Sequence, residues 1–549
     1  EFMMEAKTQN SPTDDIPTLN AGASRTSTKS EKTGYRIASV FGRVNYNYQM
    51  KYLLSLVARY DGISRLKDNR WGFFPGVSVG WNVTEEDFWK ESKISEVISN
   101  IKPRLSYGVN GNVNGIGNFD IYGIYKQIGA GNYDGATAYY NSSLINTGLR
   151  WEQSRSFEAG LDLGFFNNRL SFIFDYYNRT TDDLLTDVNL PAYTGFSSMK
   201  TNLGKLRNSG FEMEVRANIL SNAKGFNWEV SANLTSVSNK VLKLPTSDKP
   251  FNQIDGYEVA AGLYNPETGE TPTKWIGGYR EGGKLGDMVG YVQNHIFRDW
   301  NDVKANANMV IDEVANLYGP GMANEINPQT GVTYAESNGW KPIEPGDVCW
   351  EDINKDGKIN SLDRAVVGNI FPKVTGGFST TLSYKNWSLY ARFDYALGHT
   401  IYNDLKARSL GQYQGQFNII DKVHDTWSET NPDTDLPVFT YADQLNKKNI
   451  TRSNNGNTAV DNNSSRFYEK GDYLALREIT LSYSLPKKWI GKAGMQDASV
   501  YVTGQNLFYI TGYDGVSPEP AVSTVYGRGI DNGRYPTPRT LLFGLSVTF

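Results

Sequence analysis

The chain has 549 residues, a formal net charge of -4, and a hydrophobic content of only 39%. Its mean hydropathy is -0.49, and no run approaches the roughly 18 apolar residues that a transmembrane helix needs. These values exclude a helical membrane protein, and the lack of a basic surplus argues against a nucleic-acid partner.

Alternation of apolar and polar residues predicts an all-β chain of about thirteen strands. In 210–220, for example, Phe211 and Met213 alternate with Glu212 and Glu214. Aromatic residues make up 13% of the chain, and 54 glycines supply turn signals. The predicted strands are 36–50, 51–62, 73–86, 101–111, 152–166, 168–184, 207–220, 226–240, 375–385, 387–399, 473–486, 497–510 and 539–549.

The apolar faces of these strands favour a transmembrane antiparallel β-barrel. A soluble sandwich would alternate as well, but the apolar faces run about five residues deep, as in the ~9–11-residue strands that cross a bilayer. Aromatic residues such as Tyr46, Tyr60 and Trp387 recur near the strand ends, where a barrel has its interfacial girdles. The charged side chains between them would then face a water-filled lumen.

The predicted connections alternate in length. Short turns are expected near 47–51, 166–169, 221–226 and 385–387, and long polar loops at 111–150, 185–206, 241–374, 400–472 and 511–538. Segment 84–99 reads as a brief amphipathic helix on the short-turn side. We therefore predict an extracellular loop segment over 1–35 and the barrel over 36–549. Because a closed single-chain bacterial barrel has an even number of strands, thirteen strands also predict further strands before residue 36.

A calcium-type loop lies at 352–363, with the sequence DINKDGKINSLD. Acidic and amide residues stand at positions 1, 3, 5 and 12, and Gly357 at position 6 permits the sharp turn. The predicted Ca²⁺ ligands are Asp352, Asn354, Asp356, the main-chain carbonyl of Lys358, and Asp363. A metal-free turn held by Asp and Asn side chains is the alternative. If calcium binds, we expect a structural brace for the 241–374 loop, because a strand and not a helix follows.

Several segments resemble SusC-like TonB-dependent transporters, and together they extend across nearly the whole chain. They are RYDGISRLKDNRWGFFPGVSVGWNVTEEDFW (59–89), KPRLSYGVNGN (102–112), LRWEQSRSFEAGLDLGFFNNRLSFIFDYYNRTTDDLL (149–185), GDVCWEDINKDGKINSLDRAVVGNIFPKVTGGF (346–378), GQNLFYITGYDG (504–515) and the terminal Phe549.

This resemblance implies a fold, a location and a set of partners. The barrel of such transporters has 22 strands and a plugged lumen, so the plug, the TonB box and nine further strands would belong to a part absent from this sequence. The resemblance implies insertion in outer-membrane lipid of a Gram-negative bacterium, and import of a glycan or, less often, a peptide. It also implies energy from the TonB complex and a SusD-like surface lipoprotein as a lid, and it leaves open whether such pairs form dimers.

Three loop tyrosines are candidates for substrate contact. Tyr133, Tyr139 and Tyr140 lie in GNYDGATAYYNSS, where aromatic rings could pack on the apolar faces of sugars. Packing within the loop and contact with the lid protein are the alternatives. No Ser-His-Asp arrangement or phosphate-binding glycine loop stands out, so we predict that the chain is not an enzyme. A secreted calcium-dependent glycan-binding or adhesin β-protein is the alternative function.

Overall fold

One antiparallel sheet of thirteen strands dominates the structure, a computed structural model. It describes residues 2–9, 24–123, 125–133, 136–141, 143–247, 249–411, 420–439, 464–491, 494–519, 529–533 and 535–549. The strands neighbour each other in chain order, with β1 and β13 at the two edges. They are β1 (Ile37–Tyr48), β2 (Tyr52–Ile63), β3 (Trp71–Trp81), β4 (Ile98–Asn112), β5 (Glu152–Phe165), β6 (Leu170–Asn189), β7 (Ser198–Ala223), β8 (Phe226–Lys243), β9 (Val374–Tyr384), β10 (Trp387–Leu397), β11 (Tyr473–Ser484), β12 (Asp497–Thr511) and β13 (Thr540–Thr548).

Each of these strands overlaps one strand predicted from the sequence, so the all-β architecture is confirmed. The predicted loop at 185–206 is wrong in its extent, because β6 runs to Asn189 and β7 begins at Ser198. A strand that projects beyond a membrane needs no apolar face, so its polar sequence has the pattern expected of a loop. The helix predicted at 84–99 is three short helical turns, at Val83–Glu85, Asp87–Lys90 and Lys93–Glu96.

The register places apolar side chains of neighbouring strands on a common face. Phe174 of β6 lies opposite Leu161 of β5 and Met213 of β7. The next residue, Asp175, lies opposite Glu212 of β7. Because successive side chains of a strand point to opposite faces, the sheet has one apolar face and one polar face.

The apolar face is open to the surroundings. Val40 of β1 is 72% exposed and Phe543 of β13 is 82% exposed. In a soluble sandwich this face would be covered by a second layer, whereas in a membrane barrel it meets lipid. The sheet therefore has the character of a barrel wall, with its apolar face outward and its charged face inward.

Aromatic side chains lie near both ends of the outward face. Phe226 of β8 stacks on Tyr384 of β9 with ring centroids 4.1 Å apart, beside Trp387 of β10. At the opposite ends of the strands, Tyr60 of β2 stacks on Trp71 of β3 at 5.0 Å. Such rings suit the two membrane interfaces, where an apolar body and a polar edge are both solvated.

The connections divide between the two edges of the wall that are formed by the strand ends. Lys224 and Gly225 both have positive φ, 53° and 86°, which makes the two-residue turn between β7 and β8 compatible with the strand twist. The same edge carries 49–51, 82–97, 166–169, 385–386 and 485–496. The other edge, called here the outer edge, carries 64–70, 113–151, 190–197, 244–373, 398–472 and 512–539.

The outer connections contain most of the remaining secondary structure and most of the buried apolar side chains. One core joins Phe297, Val303, Leu317, Ile343 and Cys349. Within 244–373 the elements are strands Tyr257–Ala260, Thr273–Ile276, Asp287–Tyr291, Gln293–Ile296, Ile311–Asp312, Leu317–Tyr318, Lys341–Pro342, Val348–Trp350, Lys358–Ile359 and Arg364–Asn369, helix Trp300–Ala307, and 3-10 turns Pro250–Asn252, Pro320–Met322 and Ser361–Asp363.

The other connections add short elements. Strand Phe2–Gln9 pairs antiparallel with Ser24–Lys32, a hairpin that the sequence analysis did not predict; the assignment of 1–35 to an extracellular loop stays a prediction. No helix in the described segments is both long and apolar enough to cross a membrane. The remaining elements are strands Tyr125–Tyr133, Ala136–Asn141, Thr400–Asn403, Tyr468–Lys470 and Ile530–Asp531, helices Asp404–Gly411 and Lys487–Ile490, and 3-10 turns Ala192–Thr194, Asp421–Asp425 and Ser465–Phe467.

Candidate functional site

The inward face of the sheet carries ion pairs between neighbouring strands. Arg104 of β4 reaches Asp162 of β5 at 3.1 Å and Asp175 of β6 at 2.6 Å. Gly160 leaves the space for this contact, since a Cβ there would lie 2.4 Å from Oδ1 of Asp175. The three charged side chains are 22–34% exposed, as expected for groups that line a wet passage.

Arg477 is the extra residue of a β-bulge in β11. The pairing of β11 with β12 skips from Leu476 to Glu478, and the pairing with β10 skips the same residue. A bulge redirects one side chain of a strand. Here the guanidinium lies on the inward side and pairs with Asp394 of β10 at 3.0 Å.

Glu519, in the connection between β12 and β13, is the second partner of Arg477. Its carboxylate also accepts hydrogen bonds from the hydroxyls of Tyr473 at 2.6 Å and Tyr509 at 2.8 Å. Burial opposes the ionisation of Glu519, but the hydrogen bonds from Arg477, Tyr473 and Tyr509 bring its pKa below the ordinary value. The carboxylate is therefore ionised at neutral pH. Through its contacts, an outer connection is held against the inward face of the sheet.

A second group of charges joins two outer connections to each other. Lys406 reaches Glu469 at 2.9 Å and Asp514 at 3.1 Å, and Lys422 reaches Asp514 at 2.7 Å. The hydrogen bonds from Lys422 and Lys406 lower the pKa of Asp514. Since Asp514 is half exposed, each of its two pairs with lysine contributes about 0–1 kcal/mol. The group positions the loops more than it stabilises the fold.

The predicted calcium loop folds as a compact turn in the β8–β9 connection. Oδ2 of Asp352 accepts a hydrogen bond from the Gly357 amide at 2.9 Å, and Oδ1 of Asp356 accepts one from the Lys358 amide at 2.7 Å. Gly357 has a φ of 78°, the left-handed conformation that glycine adopts without strain. Asn354 is fully buried. Ligand positions 1, 3 and 5 thus lie together around one turn.

Asp363 closes this loop. Its carboxylate accepts hydrogen bonds from the amides of Ile353 at 2.9 Å and Asn360 at 2.8 Å. Burial, together with the nearby charges of Asp352 and Asp356, raises the pKa of Asp363 to about 6, against the lowering effect of the two amides. The carboxylates of Asp352, Asp356 and Asp363 therefore lie close together in this loop.

The loop also binds other parts of the β8–β9 connection. The Asn354 carbonyl accepts a hydrogen bond from the Tyr264 amide at 2.7 Å, and its side-chain amide donates to Thr271 at 2.9 Å. Strand Lys358–Ile359 pairs parallel with Ile311–Asp312. Residues that are 40 to 90 positions apart therefore converge on the loop, which fits the predicted role of a brace.

The carboxylates alone do not form a metal centre. In the described part of the chain, no group of three or more His, Cys, Asp or Glu side chains is placed to hold a metal ion. A calcium loop also draws on amide and main-chain oxygens, which here would come from Asn354 and Lys358. Calcium binding accordingly stays a prediction, with the turn and the acidic oxygens in place.

The three candidate tyrosines lie in one hairpin of the β4–β5 connection. Tyr133 ends strand Tyr125–Tyr133, and its side chain lies outside the described residues. Tyr139 and Tyr140 are 65% and 48% exposed. Because they are consecutive strand residues, they point to opposite faces of the hairpin. They therefore do not form a single aromatic platform, and their contact with substrate stays a prediction.

The sequence analysis missed the group around Arg477. A signal for it was present in LALREITL (474–481), where the apolar alternation ending at Leu476 resumes at Ile479 after two polar residues. Such a break indicates a bulge in a strand whose outward face must stay apolar. The partner Glu519 lies 42 positions further along the chain, so no local pattern indicates the contact.

Comparison with known proteins gives a consistent result across the chain. A family model described as TonB dependent receptor-like, beta-barrel matches residues 3–280. TonB-dependent receptor P3 of Formosa agariphila is 31% identical over 97% of this chain and 47% of its own length. TonB-dependent receptor SusC of Bacteroides thetaiotaomicron is 30% identical over 94% of this chain and 45% of its own length. The chain thus spans about half the length of these relatives.

A solved structure shares the fold. The structure of the RagAB peptide transporter superposes with a TM-score of 0.69 at 22% sequence identity, and the match covers 98% of this chain and 50% of that chain. At this identity the match establishes the barrel architecture and carries nothing about the ligand.

Proposed function

This chain belongs to the TonB dependent receptor-like β-barrel family, and from that premise we propose that it supplies thirteen strands of the barrel of an outer-membrane importer. Barrels of this family lie in the outer membrane of Gram-negative bacteria, as the resemblance implied. The family consists of receptors and not of enzymes, which confirms the prediction of a non-enzymatic protein. It also argues against a secreted adhesin.

The two-faced sheet is the observation that carries the proposal. Its outward face is apolar and edged with aromatic rings, as at Phe226 and Tyr384. Its inward face carries ion pairs such as that of Arg104 with Asp175. A wall of this kind separates lipid from water, and the long connections on one edge provide surface for capture of a substrate outside the cell.

A glycan is the proposed substrate, taken up through a TonB-energised step. Support comes from the 30% identity to the relative named SusC and from the exposed rings of Tyr139 and Tyr140 in an outer connection. Peptide is the alternative that the resemblance to SusC-like transporters leaves open. A SusD-like surface lipoprotein is the proposed lid, seated on the outer connections, and the TonB complex is the proposed energy source.

The loop at 352–363 is proposed to bind one Ca²⁺ as a structural brace. The five ligands would be those expected from the sequence: Asp352, Asn354, Asp356, the carbonyl of Lys358, and Asp363. Support comes from the burial of Asp363 close to Asp352 and Asp356, which together raise its pKa to about 6, and from hard-oxygen chemistry, which suits calcium. The contacts of the loop with Tyr264 and Thr271 would transmit its rigidity to the connection.

Deletion of the gene in the bacterium that makes the protein tests the importer. The deletion strain and a complemented strain would be grown on panels of oligosaccharides and of peptides, with uptake measured by fluorescent derivatives. We expect loss of uptake for one class of compound, and the same loss in a strain without functional TonB. Uptake that is unchanged by both deletions would overturn the proposal.

A further inference from the structure

On the inward face of the sheet, near the outer edge, three hydrogen-bond donors point at one carboxylate. They are the guanidinium of Arg477 and the hydroxyls of Tyr473 and Tyr509. The two rings meet edge to face at 5.8 Å, and the guanidinium lies 6.0 Å and 5.6 Å from their centroids. This set of three side chains is called the carboxylate cradle below.

The donors and the acceptor come from parts of the chain that differ in kind. The cradle stands on β11 and β12, which pair on both sides of the bulge that directs Arg477 inward. The acceptor, Glu519, stands on the connection after β12. Beside it, Nε2 of His399 lies 3.3 Å from the carbonyl oxygen of Pro518. Paired strands of the wall therefore hold a residue of a connection.

The hydrogen-bond donors of the cradle favour a carboxylate, which can accept from all three side chains. Arg477 is 14% exposed, and Asp394 is its other anionic partner. Withdrawal of Glu519 would leave two phenol donors and part of the guanidinium without acceptors, which is costly for groups of low exposure. Replacement of Glu519 by another carboxylate would keep every hydrogen bond. Exchange of one carboxylate for another is thus far easier than simple release.

We propose that the carboxylate cradle of Tyr473, Arg477 and Tyr509 is a binding site for a carboxylate on the imported substrate, which the chain's own Glu519 occupies until a ligand replaces it. Glu519 is 28% exposed, so an incoming ligand reaches it from the passage. When the exchange occurs, the segment ending at Glu519 leaves the wall. The site thus couples recognition of an acidic substrate to movement of an outer connection.

The ligand chemistry is a carboxylate with hydrogen-bonding neighbours, and it has two sources. A uronic acid residue of a glycan carries one, and so does the C-terminus or an acidic side chain of a peptide. Charge-assisted hydrogen bonds of guanidinium to carboxylate recognise both alike. The statement that the bound carboxylate belongs to an imported substrate rests on the importer function proposed above. Binding of a carboxylate to the cradle does not depend on that function, and it is measured on the purified protein.

Calorimetric titration of the full-length protein in detergent tests the site. The probes are D-glucuronate and tri-alanine, and the matched controls without a carboxylate are glucuronate methyl ester and tri-alanine amide. We expect Glu519→Gln to bind at least one carboxylate probe tenfold or more tightly than the wild type, because the internal competitor is weakened. Addition of Tyr473→Phe to that variant should reverse the gain, and Glu267→Gln, an exposed carboxylate elsewhere, should match the wild type.

The pattern of binding decides the outcome. Binding of glucuronate alone assigns the site to acidic glycans, binding of tri-alanine alone assigns it to peptides, and binding of both supports the shared chemistry. Equal affinity of wild type and Glu519→Gln for the probes, or no binding of a probe to either protein, overturns the proposal. Glu519 would then only fasten the connection to the sheet. Should the variant not fold, hydrogen exchange of 513–519 in the wild type replaces it: saturating carboxylate probe should increase exchange, and unchanged exchange overturns the proposal.

Discussion

Asp175 lies directly across from Gly160 in the neighbouring strand, and its carboxylate occupies the space that a side chain at 160 would fill. This absence of a side chain lets Arg104 reach Asp175 at 2.6 Å while it also holds Asp162. Three strands are thereby joined on the inward face. A glycine in a long strand, otherwise unfavourable, is explained by this close approach.

Gly160→Ala should therefore destabilise the barrel. The new methyl group would lie 2.4 Å from Oδ1 of Asp175 and 2.6 Å from Cζ of Arg104, so the ion pairs must shift, at a cost of about 1–3 kcal/mol as in other overpacked sites. Gly108→Ala is the control, because nothing lies within 4 Å of its Cβ position. Urea unfolding of both variants in detergent micelles measures the difference, and equal midpoints would show that the close approach is unimportant.

A single strand should tolerate a charge on one face and not on the other. Val77 lies on the outward face of β3, between the aromatic residues Trp71 and Trp81, whereas Ser78 points inward. Val77→Lys should lower the free energy of unfolding by about 2–4 kcal/mol, as for a lysine near the middle of the bilayer. Ser78→Lys should lower it far less. Folding into lipid vesicles at increasing urea compares them. Similar losses would contradict the assignment of the faces.

Acid should release the segment that Glu519 fastens. The folded-state pKa of Glu519 lies below its ordinary value of 4.5, so its stabilising contribution is complete above that pH and is lost as the pH falls below it. The groups that face it are Arg477, Tyr473 and Tyr509, with Asp394 and His399 beside them.

Hydrogen exchange of 513–519, corrected for the intrinsic pH dependence, measures this release. Protection should fall between pH 7 and pH values below 4.5 in the wild type, and it should be low at both in Glu519→Gln. A variant as strongly protected as the wild type at neutral pH would show that other contacts hold the segment.

Calcium should protect the β8–β9 connection from proteolysis. If the loop at 352–363 binds the ion, saturation at one hundred times its Kd stabilises the closed loop by about 2.7 kcal/mol relative to chelator. Asp363→Asn removes a carboxylate and should abolish this protection. Lys358→Ala keeps the carbonyl and should retain it. Equal cleavage rates of the wild type in calcium and in chelator would contradict the proposed role of Ca²⁺ as a structural brace.

The sequence was most informative where lipid constrains it. An outward face must stay apolar at every second residue, so the alternation of Phe211, Met213 and Val215 located β7. Outside the membrane this constraint ends, so the sequence at 185–189 predicts a loop although β6 continues to Asn189. The compact turn at 352–363 was predictable because its Asp, Asn and Gly residues lie within twelve positions, and calcium binding there stays a prediction. The Arg477–Glu519 pair was not, because its members meet only after the outer connection folds back.

The most direct test of the barrel wall is the environment of successive residues along β12. Single cysteines at Val500, Tyr501, Val502 and Thr503 would carry nitroxide labels in outer-membrane vesicles; the native Cys349 is buried, which raises its thiol pKa to about 12, and it should not react. Outward positions 500 and 502 should be accessible to oxygen, and inward positions 501 and 503 to a water-soluble nickel complex. Equal accessibility of all four to the nickel complex would contradict a wall with lipid on one side and a passage on the other.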